Sequence, residues 1–330
     1  MIKYSKPLKL VIIMPIYNDW ESAKILVKRI NAVFNNEPTE IQILLVDDGS
    51  SEPFQENFLD SDLSSISKID LLNLRRNMGH QRAIAIALTH LYKSQPCDAV
   101  CIMDADGEDR PEDLPTLLNL FFQKGCKHVI FAERTKRMEG LTFKVLYRCY
   151  QILNRILTGH SVRVGNFSVI PYEHLSALVV SSELWNHYAA TVYNLRIPFS
   201  LVPTPRDKRI FGRSKMNFIS LVIHGLSAIS VFGEIVGTRI LFAAFGINAL
   251  LIFFLLLVFI SQLFTKVTIP GLVTFSAGFL LVLFVQISAT TASFLFYALT
   301  NRNISSFLPL RDYSLYINII QNVYINYEKY

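Results

Sequence analysis

Acidic residues stand at alternate positions directly after a short apolar run. The run, residues 100–103, is too short for a helix, and Asp104, Asp106 and Glu108 follow it. If the run is a buried strand, these three side chains leave its end on one side. Crowded carboxylates are unfavourable unless a hard cation gathers them, and Mg²⁺ commonly takes one or two carboxylates together with substrate phosphates. The pattern therefore predicts a cation site.

An acidic turn ahead of a helix is the alternative interpretation of this stretch. Arg110, Pro111 and Glu112 would begin that helix, with proline early and acids in the first turn. An EF-hand loop is excluded, because Asp109 stands where that loop requires glycine and Pro115 stands where it requires glutamate.

Strand-like and helix-like segments alternate from residue 8 to about residue 134. This alternation predicts an α/β fold, with a mostly parallel sheet and helices on both faces. In open sheets of this kind, ligands bind beyond the carboxyl ends of the strands. The sequence therefore predicts that one edge of the sheet collects Pro15, Tyr17, Asp19, Asp47, Asp48, Asp104, Asp106 and Arg134.

The C-terminal part of the chain is its most apolar part. The 330 residues are 51% hydrophobic and have a mean hydropathy of +0.34. Residues 240–264 and 272–299 are each long enough to cross a hydrocarbon core, which predicts a two-helix transmembrane hairpin. The alternative is a pair of buried core helices, for which we expect too little chain after residue 299.

Basic residues flank the predicted hairpin unevenly. Only Lys266 lies between the two runs, whereas the outer flanks carry Lys208, Arg209, Arg213, Lys215, Arg239, Arg302 and Arg311. By the positive-inside rule, both outer ends face the cytoplasm. This predicts an inner-membrane protein with a cytoplasmic N-terminal domain and a cytoplasmic tail at 301–330. The first apolar run, residues 8–14, is too short for a signal peptide.

The net charge and the cysteine spacing indicate which classes of binding partner the protein has. The net charge of +6 suits anionic lipid head groups or phosphates, and no nucleic-acid-binding motif is present. The four cysteines lack metal-ligand spacing, so we expect reduced thiols; they are Cys97, Cys101, Cys126 and Cys149.

Two further segments have the character of helices at a membrane surface. Residues 137–157 are basic and amphipathic, and residues 216–237 are moderately apolar. A solvated charged face is the alternative for the first segment, and a third span is the alternative for the second.

Six short motifs, in their order, resemble those of one enzyme family. They are PIYN at 15–18, VDDGS at 46–50, NMGHQ at 77–81, DADGE at 104–108, GNFS at 165–168 and RIFGRSKM at 209–216. With the hairpin, they make residues 8–300 similar to the polyprenyl-phosphate branch of the inverting family 2 glycosyltransferases, which includes dolichol-phosphate mannose synthase and undecaprenyl-phosphate glucosyltransferases. The resemblance implies a GT-A, Rossmann-like domain at 1–215, a UDP- or GDP-sugar donor, an undecaprenyl or dolichyl phosphate acceptor, and homo-oligomers.

The resemblance also implies roles for single residues. It implies nucleotide binding by Pro15, Tyr17, Asp19, Asp47, Asp48 and Asp104. It implies binding of Mg²⁺ or Mn²⁺ on the diphosphate by Asp104, Asp106 and Glu108. The family commonly has Gln at position 108, so Glu108 puts the metal preference in question. It implies catalytic roles for Asp106, Arg134, Arg148, Arg209 and Lys215, with Arg134 at the diphosphate and the acceptor phosphate at Arg148, Arg206 and Lys215.

One basic loop has two interpretations. The resemblance makes the loop with Arg206, Arg209 and Lys215 a mobile cover over the phosphates, with Gly212 as its hinge. Without the family, these residues are a juxtamembrane basic cluster. Candidates for the sugar or acceptor pocket are His80, Gln81, Asn166, Ser168, Trp185 and His187. The alternatives are a helix cap for His80 and Gln81, a polar turn for Asn166 and Ser168, and a partly buried aromatic cluster for Trp185 and His187.

The implied reaction transfers one sugar, with inversion, to a lipid phosphate. That acceptor is already anionic at neutral pH, so the site needs alignment and charge stabilisation rather than a strong base. A processive polysaccharide synthase is one alternative, but it usually carries more spans and a Gln-x-x-Arg-Trp motif, whose context Trp20 and Trp185 lack. The other alternative is a non-catalytic membrane adaptor that keeps the fold.

Overall fold

The computed structural model describes residues 7–35, 37–55, 58, 63–134, 141–160, 164–211, 218–264, 271–302 and 307–326. The chain divides into two compact units. The first comprises Met1–Arg148, Ser161–Val231 and Phe307–Tyr330, and it contains the sheet. The second comprises Cys149–His160 and Phe232–Ser306, and it contains the two longest helices.

A sheet of eight described strands organises the first unit. The strands are β1 (Leu8–Ile16), β2 (Thr39–Asp47), β3 (Ile66–Leu74), β4 (Ala99–Ile102), β5 (Val129–Arg134), β6 (Val164–Pro171), β7 (Phe199–Thr204) and β8 (Ile317–Ile325). Their order is β7-β5-β6-β4-β1-β2-β3-β8. β1 runs parallel to β2 and β4, β2 to β3, and β5 to β7, whereas β6 and β8 are antiparallel to their neighbours. The predicted mostly parallel sheet is confirmed.

Ten α-helices occur among the described residues. They are α1 (Trp20–Val33), α2 (His80–Ser94), α3 (Leu114–Gln123), α4 (Leu141–Thr158), α5 (Leu175–Val179), α6 (Tyr188–Asn194), α7 (Phe218–Ser230), α8 (Gly233–Phe264), α9 (Leu272–Arg302) and α10 (Pro309–Asp312). The cores on the two sheet faces differ in their helices. α1 and α3 contribute to one core, and α2, α5 and α6 contribute to the other. Helices thus cover both faces, as predicted.

Strand β1 is apolar along its whole length because both of its faces are buried. Leu10, Ile12 and Met14 belong to the core with α1, whereas Val11 and Ile13 belong to the core with α2. Successive side chains of a strand point to opposite faces, so a strand between two helical layers has no polar face. The two layers hold the carboxyl ends of the central strands in fixed positions.

Strand β8 joins the sheet and lies within the segment 301–330 that the sequence analysis predicts to be a cytoplasmic tail. β8 pairs antiparallel with β3, and Leu71 lies opposite Gln321. Asn322 Nδ2 donates a hydrogen bond to Asp70 Oδ1 at 3.0 Å. The strand is an edge strand with mostly exposed or half-buried side chains, so its sequence carries no strong apolar alternation.

The helices α8 and α9 form the larger part of the second unit. Their windows Gly233–Ser261 and Thr274–Tyr297 are long and apolar enough to cross a membrane, and almost none of these residues are buried. Asn248 Nδ2 donates to Ser288 Oγ at 3.2 Å, which joins the two helices by a polar contact. α8 begins at Gly233, earlier than the residue 240 predicted for the first span.

Candidate active site

The loops after β1 and β2 are joined to each other through one asparagine. Asn18 has a φ of 56°, in the left-handed region. Its Oδ1 accepts from the amides of Ser51 and Glu52 at 2.8 and 3.1 Å, and its own amide donates to Ser50 Oγ at 2.9 Å. The residues predicted to bind nucleotide at the carboxyl end of β1 therefore lie beside those at the carboxyl end of β2. This group comprises Pro15, Tyr17, Asp19, Asp47 and Asp48.

Asp48 is held by backbone groups. Its Oδ1 accepts from the amide of Met78 at 2.6 Å, and its Oδ2 accepts from the amide of Gly79 at 2.9 Å. Burial raises the pKa of Asp48 to about 6, although these two hydrogen bonds act in the opposite direction. Asp47 Oδ1 accepts from the amide of Ser50 at 2.8 Å. Asp48 thus fixes the turn that precedes α2, and its nucleotide role stays a prediction.

The acidic turn after β4 is shaped by its own side chains. Asp109 is buried, and its Oδ2 accepts from the amide of Asp104 at 3.1 Å. Asp106 Oδ1 accepts from the amide of Glu108 at 3.0 Å. Burial and the neighbouring charge of Asp104 raise the pKa of Asp106 to about 6, against the lowering effect of two arginines. The turn therefore concentrates carboxylates in a partly desolvated place.

Residues 205–211, which we name the cover segment, lie on the acidic turn. The amide of Asp207 donates to the carbonyl of Glu108 at 3.0 Å, and the amide of Ile210 donates to the carbonyl of Asp106 at 3.1 Å. A Cβ atom built on Gly107 would lie 2.4 Å from Ile210 Cγ1, so the turn and the segment are in close contact. The described part of the predicted cover loop thus lies over the predicted metal ligands.

Two arginines of the cover segment pair with the acidic residues. Arg209 Nη2 lies 2.6 Å from Asp19 Oδ1, and Arg209 Nη1 lies 3.4 Å from Asp106 Oδ2. Arg206 contacts the carboxylate of Glu108. One guanidinium group therefore joins the loop after β1 to the turn after β4. This contact brings a predicted nucleotide ligand and a predicted metal ligand to the same place.

Three residues whose roles the sequence left open also reach this place. His80 begins α2, and its Nε2 lies 3.0 Å from Asp104 Oδ1. Asn166 Nδ2 lies 2.8 Å from the same ring nitrogen, and Gln81 Nε2 donates to Asn166 Oδ1 at 2.9 Å. Burial acts to lower the pKa of His80, but nearby carboxylates, Asp104 foremost, outweigh it and the net shift is upward. The NMGHQ and GNFS motifs therefore meet the acidic turn.

Two other pocket candidates have structural partners. Trp185 packs against Phe307 and Tyr316, with ring centroids 3.7 and 5.2 Å away. His187 is buried and caps α6, where its Nδ1 accepts from the amide of Ala190 at 3.3 Å. The contacts of Trp185 fit the aromatic-cluster interpretation, whereas the helix cap formed by His187 was not among the predicted alternatives.

The remaining predicted residues are not brought to the acidic turn by any contact of the described side chains. Arg134 is the last residue of β5, at the register position of Thr204, and its side chain lies outside the described part. Arg148 lies on α4 and is exposed. Lys215 and Gly212 lie outside the described residues.

The donor set at the turn fits a divalent cation that brings ligands of its own. Within the described ranges, no group of three or more His, Cys, Asp or Glu side chains is arranged to hold a metal ion. Glu108 is paired with Arg206 and Asp106 with Arg209, so the metal role of Asp104, Asp106 and Glu108 stays a prediction. Two carboxylates suit Mg²⁺ or Mn²⁺, which keep waters and take substrate phosphate oxygens as further ligands.

A mostly parallel sheet with an acidic turn at the carboxyl end of β4 and a basic segment above it defines a GT-A class of protein. Residues 11–176 match the family described as glycosyl transferase family 2, and the chain belongs to that family. Curated relatives are undecaprenyl-phosphate 4-deoxy-4-formamido-L-arabinose transferases of Salmonella paratyphi A and Salmonella dublin, each 25% identical over 218 residues. The match covers 65% of this chain and 64% of the length of those relatives.

Solved structures with a similar fold include two synthases. Mannosyl-3-phosphoglycerate synthase from Rubrobacter xylanophilus has a TM-score of 0.46 and 16% identity, over 69% of this chain and 73% of that chain. Glucosyl-3-phosphoglycerate synthase from Mycobacterium tuberculosis, in complex with Mn²⁺, UDP and glucosyl-3-phosphoglycerate, has a TM-score of 0.47 and 13% identity, over 68% of this chain and 80% of that chain.

Proposed function

We propose that this glycosyltransferase moves one sugar, with inversion, from a UDP- or GDP-sugar to a polyprenyl phosphate at the cytoplasmic face of the inner membrane. The contact of Arg209 with both Asp19 and Asp106 carries the proposal, because it joins the predicted nucleotide and metal parts of the site. The names of the Salmonella relatives support an undecaprenyl phosphate acceptor. The apolar, exposed α8 and α9 support a site close to a bilayer.

The residues at the carboxyl ends of β1, β2 and β4 would bind the donor. In the loop after β1, Tyr17 is exposed and Asp19 is half-buried against Arg209, and both would contact the nucleotide base or ribose. Asp104 and Asp106 would hold Mg²⁺ or Mn²⁺, and this ion supplies positive charge against the diphosphate. Arg209, once separated from the carboxylates, has a planar guanidinium group suited to a phosphate.

The reaction is a single displacement. An oxygen of the acceptor phosphate attacks the anomeric carbon, and the bond from that carbon to the diphosphate oxygen breaks. The nucleoside diphosphate leaves with the electron pair, and the configuration at the anomeric carbon is inverted. Because the acceptor is already an anion, no side chain has to remove a proton from it.

Basic residues on separate elements would receive the two phosphate groups. We assign the departing diphosphate to Arg134 and Arg209, and the acceptor phosphate to Arg148, Arg206 and Lys215. Arg148 is exposed on the basic helix α4, where a lipid phosphate at a membrane surface can reach it.

A panel of donors tests the proposal. Purified full-length protein in detergent is incubated with undecaprenyl phosphate, Mn²⁺ or Mg²⁺, and radiolabelled UDP- or GDP-sugars. We expect one donor to give a product that partitions into organic solvent, and EDTA to prevent its formation. Proton NMR of the product against the donor reports the anomeric configuration. Retention of configuration would contradict the single displacement, and product formation in EDTA would contradict the metal.

A further inference from the structure

The carboxyl end of helix α4 is capped by an arginine of helix α8. Arg239 Nη1 donates to the carbonyl oxygens of Ile156 and Arg155 at 2.5 and 3.3 Å. The last turn of a helix has carbonyl groups without partners in the helix, and it carries partial negative charge. A guanidinium group at this place therefore stabilises the end of α4.

A glycine gives the arginine access to the end of α4. Gly159 directly follows the helix and has a φ of 81°, and its amide donates to the carbonyl of Arg155 at 2.9 Å. A Cβ atom built on Gly159 would lie 2.6 Å from Arg239 Nη2, which is too close for two atoms that are not bonded. A side chain at position 159 would therefore displace the guanidinium group.

The residue after this glycine makes a second contact with the beginning of α8. The ring of His160 stacks on the ring of Phe232, with centroids 5.1 Å apart and planes 26° apart. Phe232 is buried and directly precedes Gly233, the first residue of α8. These residues all belong to the second unit. Two contacts thus hold the end of α4 against the beginning of α8.

The carboxyl half of α4 has the polarity of a helix in contact with lipid. Ile152, Leu153 and Ile156 are 60%, 50% and 63% exposed, whereas the polar Asn154 and Thr158 are buried. A surface helix of a water-soluble domain has the opposite arrangement. Exposed Arg155 borders the apolar side chains, since residues three apart are neighbours on a helix. An apolar face with a basic border is typical of a helix that lies in the membrane surface.

Arg239 is a charged residue inside an apolar segment. It lies within Gly233–Ser261, the part of α8 that is long and apolar enough to cross a membrane. A charged side chain in such a segment is costly unless it is paired, and backbone carbonyls are common partners. The carbonyls at the end of α4 are partners of this kind.

We propose that Arg239 is a positioning residue for the lipid acceptor. It holds the carboxyl half of α4 on α8, and so fixes how deeply Ile152, Leu153 and Ile156 enter the membrane surface. The inference rests on the proposed function, in which α4 receives the acceptor phosphate. A lipid phosphate stays at the depth of the head groups, so the helix that receives it must be held at a matching depth. Arg239 acts on acceptor binding through α4, without contacting the acceptor.

Three variants of the full-length protein in lipid nanodiscs test the cap. Arg239→Met removes the donors, Gly159→Ala displaces the guanidinium group, and Arg239→Lys keeps a donor for the same carbonyls. Transfer is measured against the mole fraction of undecaprenyl phosphate in the nanodisc. We expect Arg239→Met and Gly159→Ala to raise the KM for this acceptor about fivefold, with kcat and the KM for the donor within about twofold of the wild type. Arg239→Lys should restore most of the acceptor KM.

A double variant and a charge control identify the contact. Once the guanidinium group is absent, a Cβ atom at position 159 has nothing to displace. The acceptor KM of Gly159→Ala with Arg239→Met should therefore stay within about twofold of that of Arg239→Met alone. Arg302→Met removes the same charge at the last residue of α9, on the same predicted cytoplasmic flank, and should leave the acceptor KM unchanged.

The outcomes separate the inference from the proposed function. A wild-type acceptor KM in both Arg239→Met and Gly159→Ala would overturn the inference alone. An equal rise in Arg302→Met would also overturn it, because juxtamembrane charge would then be the cause, and so would an equal loss of donor and acceptor binding in Arg239→Met. Absence of transfer by the wild-type protein to undecaprenyl phosphate would overturn the proposed function and the inference with it.

Discussion

Two aspartate–glycine pairs stand at the carboxyl ends of the strands on either side of β1, and their aspartates differ in their second partner. Burial raises the pKa of Asp48 and that of Asp106 to about 6. Both oxygens of Asp48 accept from backbone amides. Asp106 Oδ1 also accepts from a backbone amide, that of Glu108, but its Oδ2 faces the Arg209 guanidinium at 3.4 Å. A backbone partner is part of the fold, but an arginine side chain can move away when a ligand arrives. We therefore expect the same residue type to serve stability at Asp48 and binding at Asp106.

The glycines that follow these aspartates also differ in whether their neighbours are backbone or side-chain atoms. Gly49 and Gly107 have φ values of 70° and 88°. A Cβ atom on Gly49 would lie 2.6 Å from the amide nitrogen of Asn77, which is backbone and cannot move aside. The three atoms nearest to a Cβ atom on Gly107 all belong to the side chain of Ile210, in the cover segment. The turn after β2 is thus packed against the backbone at Asn77, and the turn after β4 is packed against the cover segment.

The largest expected effect comes from Asp106→Asn. We expect sugar transfer to fall at least about 10³-fold, because a metal ligand is lost and a divalent cation contributes several kcal/mol to such reactions. The unfolding temperature should stay close to that of the wild type. Asp98→Asn is the control, since Asp98 lies at the other end of β4 and accepts from the amide of Lys9 at 2.7 Å. Full transfer activity in Asp106→Asn would remove the metal assignment.

Substitution of each glycine by alanine should lower the free energy of unfolding more at Gly49 than at Gly107. Gly49→Ala combines a left-handed backbone cost of about 1–2 kcal/mol with a steric cost of about 1–3 kcal/mol. Gly107→Ala carries the same backbone cost, but the Ile210 side chain can rotate away. Unfolding by urea is followed by tryptophan fluorescence, since Trp20 and Trp185 both lie in the first unit. Equal losses of unfolding free energy in the two variants would contradict the interpretation that Gly49 is packed against backbone and Gly107 against a side chain that can move.

Asp48→Asn should be a stability variant with a smaller effect. Asparagine can still accept from the amide of Met78, but its NH₂ group then faces the amide of Gly79, and two donors meet. We expect a loss of about 1–3 kcal/mol in the free energy of unfolding, the cost of an unsatisfied buried donor. The urea unfolding measurement serves here also, with Asp106→Asn as the comparison. A stable Asp48→Asn protein that has lost nucleotide binding would instead support the predicted direct contact with the donor.

The sequence predicted which residues lie at the carboxyl edge of the sheet. It did not predict which of the aspartates there are bound by backbone amides and which face the candidate ligand site. Asp48 and Asp106 both follow apolar runs, and the carboxyl ends of parallel strands meet at one edge whatever the side chains do there. The partners of Asp48 are backbone amides some thirty residues further along the chain, at Met78 and Gly79. Backbone amides carry no sequence signal, so an aspartate that serves the fold has the same appearance in sequence as one that binds a ligand.

The last strand was missed for a related physical reason. β8 lies at the edge of the sheet, and its Asn322 bonds Asp70 across 252 positions of sequence. Residues 317–325 have a composition that favours a strand, with four isoleucines and one valine. An edge strand with a half-exposed surface needs neither a buried face nor strict alternation, so only the pairing with β3 shows where this strand belongs.

Replacing Arg209 with glutamine should produce opposite changes in metal binding and transfer. A cation and the Arg209 guanidinium compete for the Asp106 carboxylate, so Mn²⁺ without nucleotide should bind about two- to fivefold more tightly to Arg209→Gln, the scale of a partly exposed ion pair. Transfer should fall, because the diphosphate loses a guanidinium partner. Lys208→Gln removes the same charge from an exposed position of the cover segment and controls for long-range electrostatics. Because the two variants have the same net charge, tighter Mn²⁺ binding in both would assign the effect to the overall field. Tighter binding in Arg209→Gln alone would identify Arg209 as the group that the cation displaces.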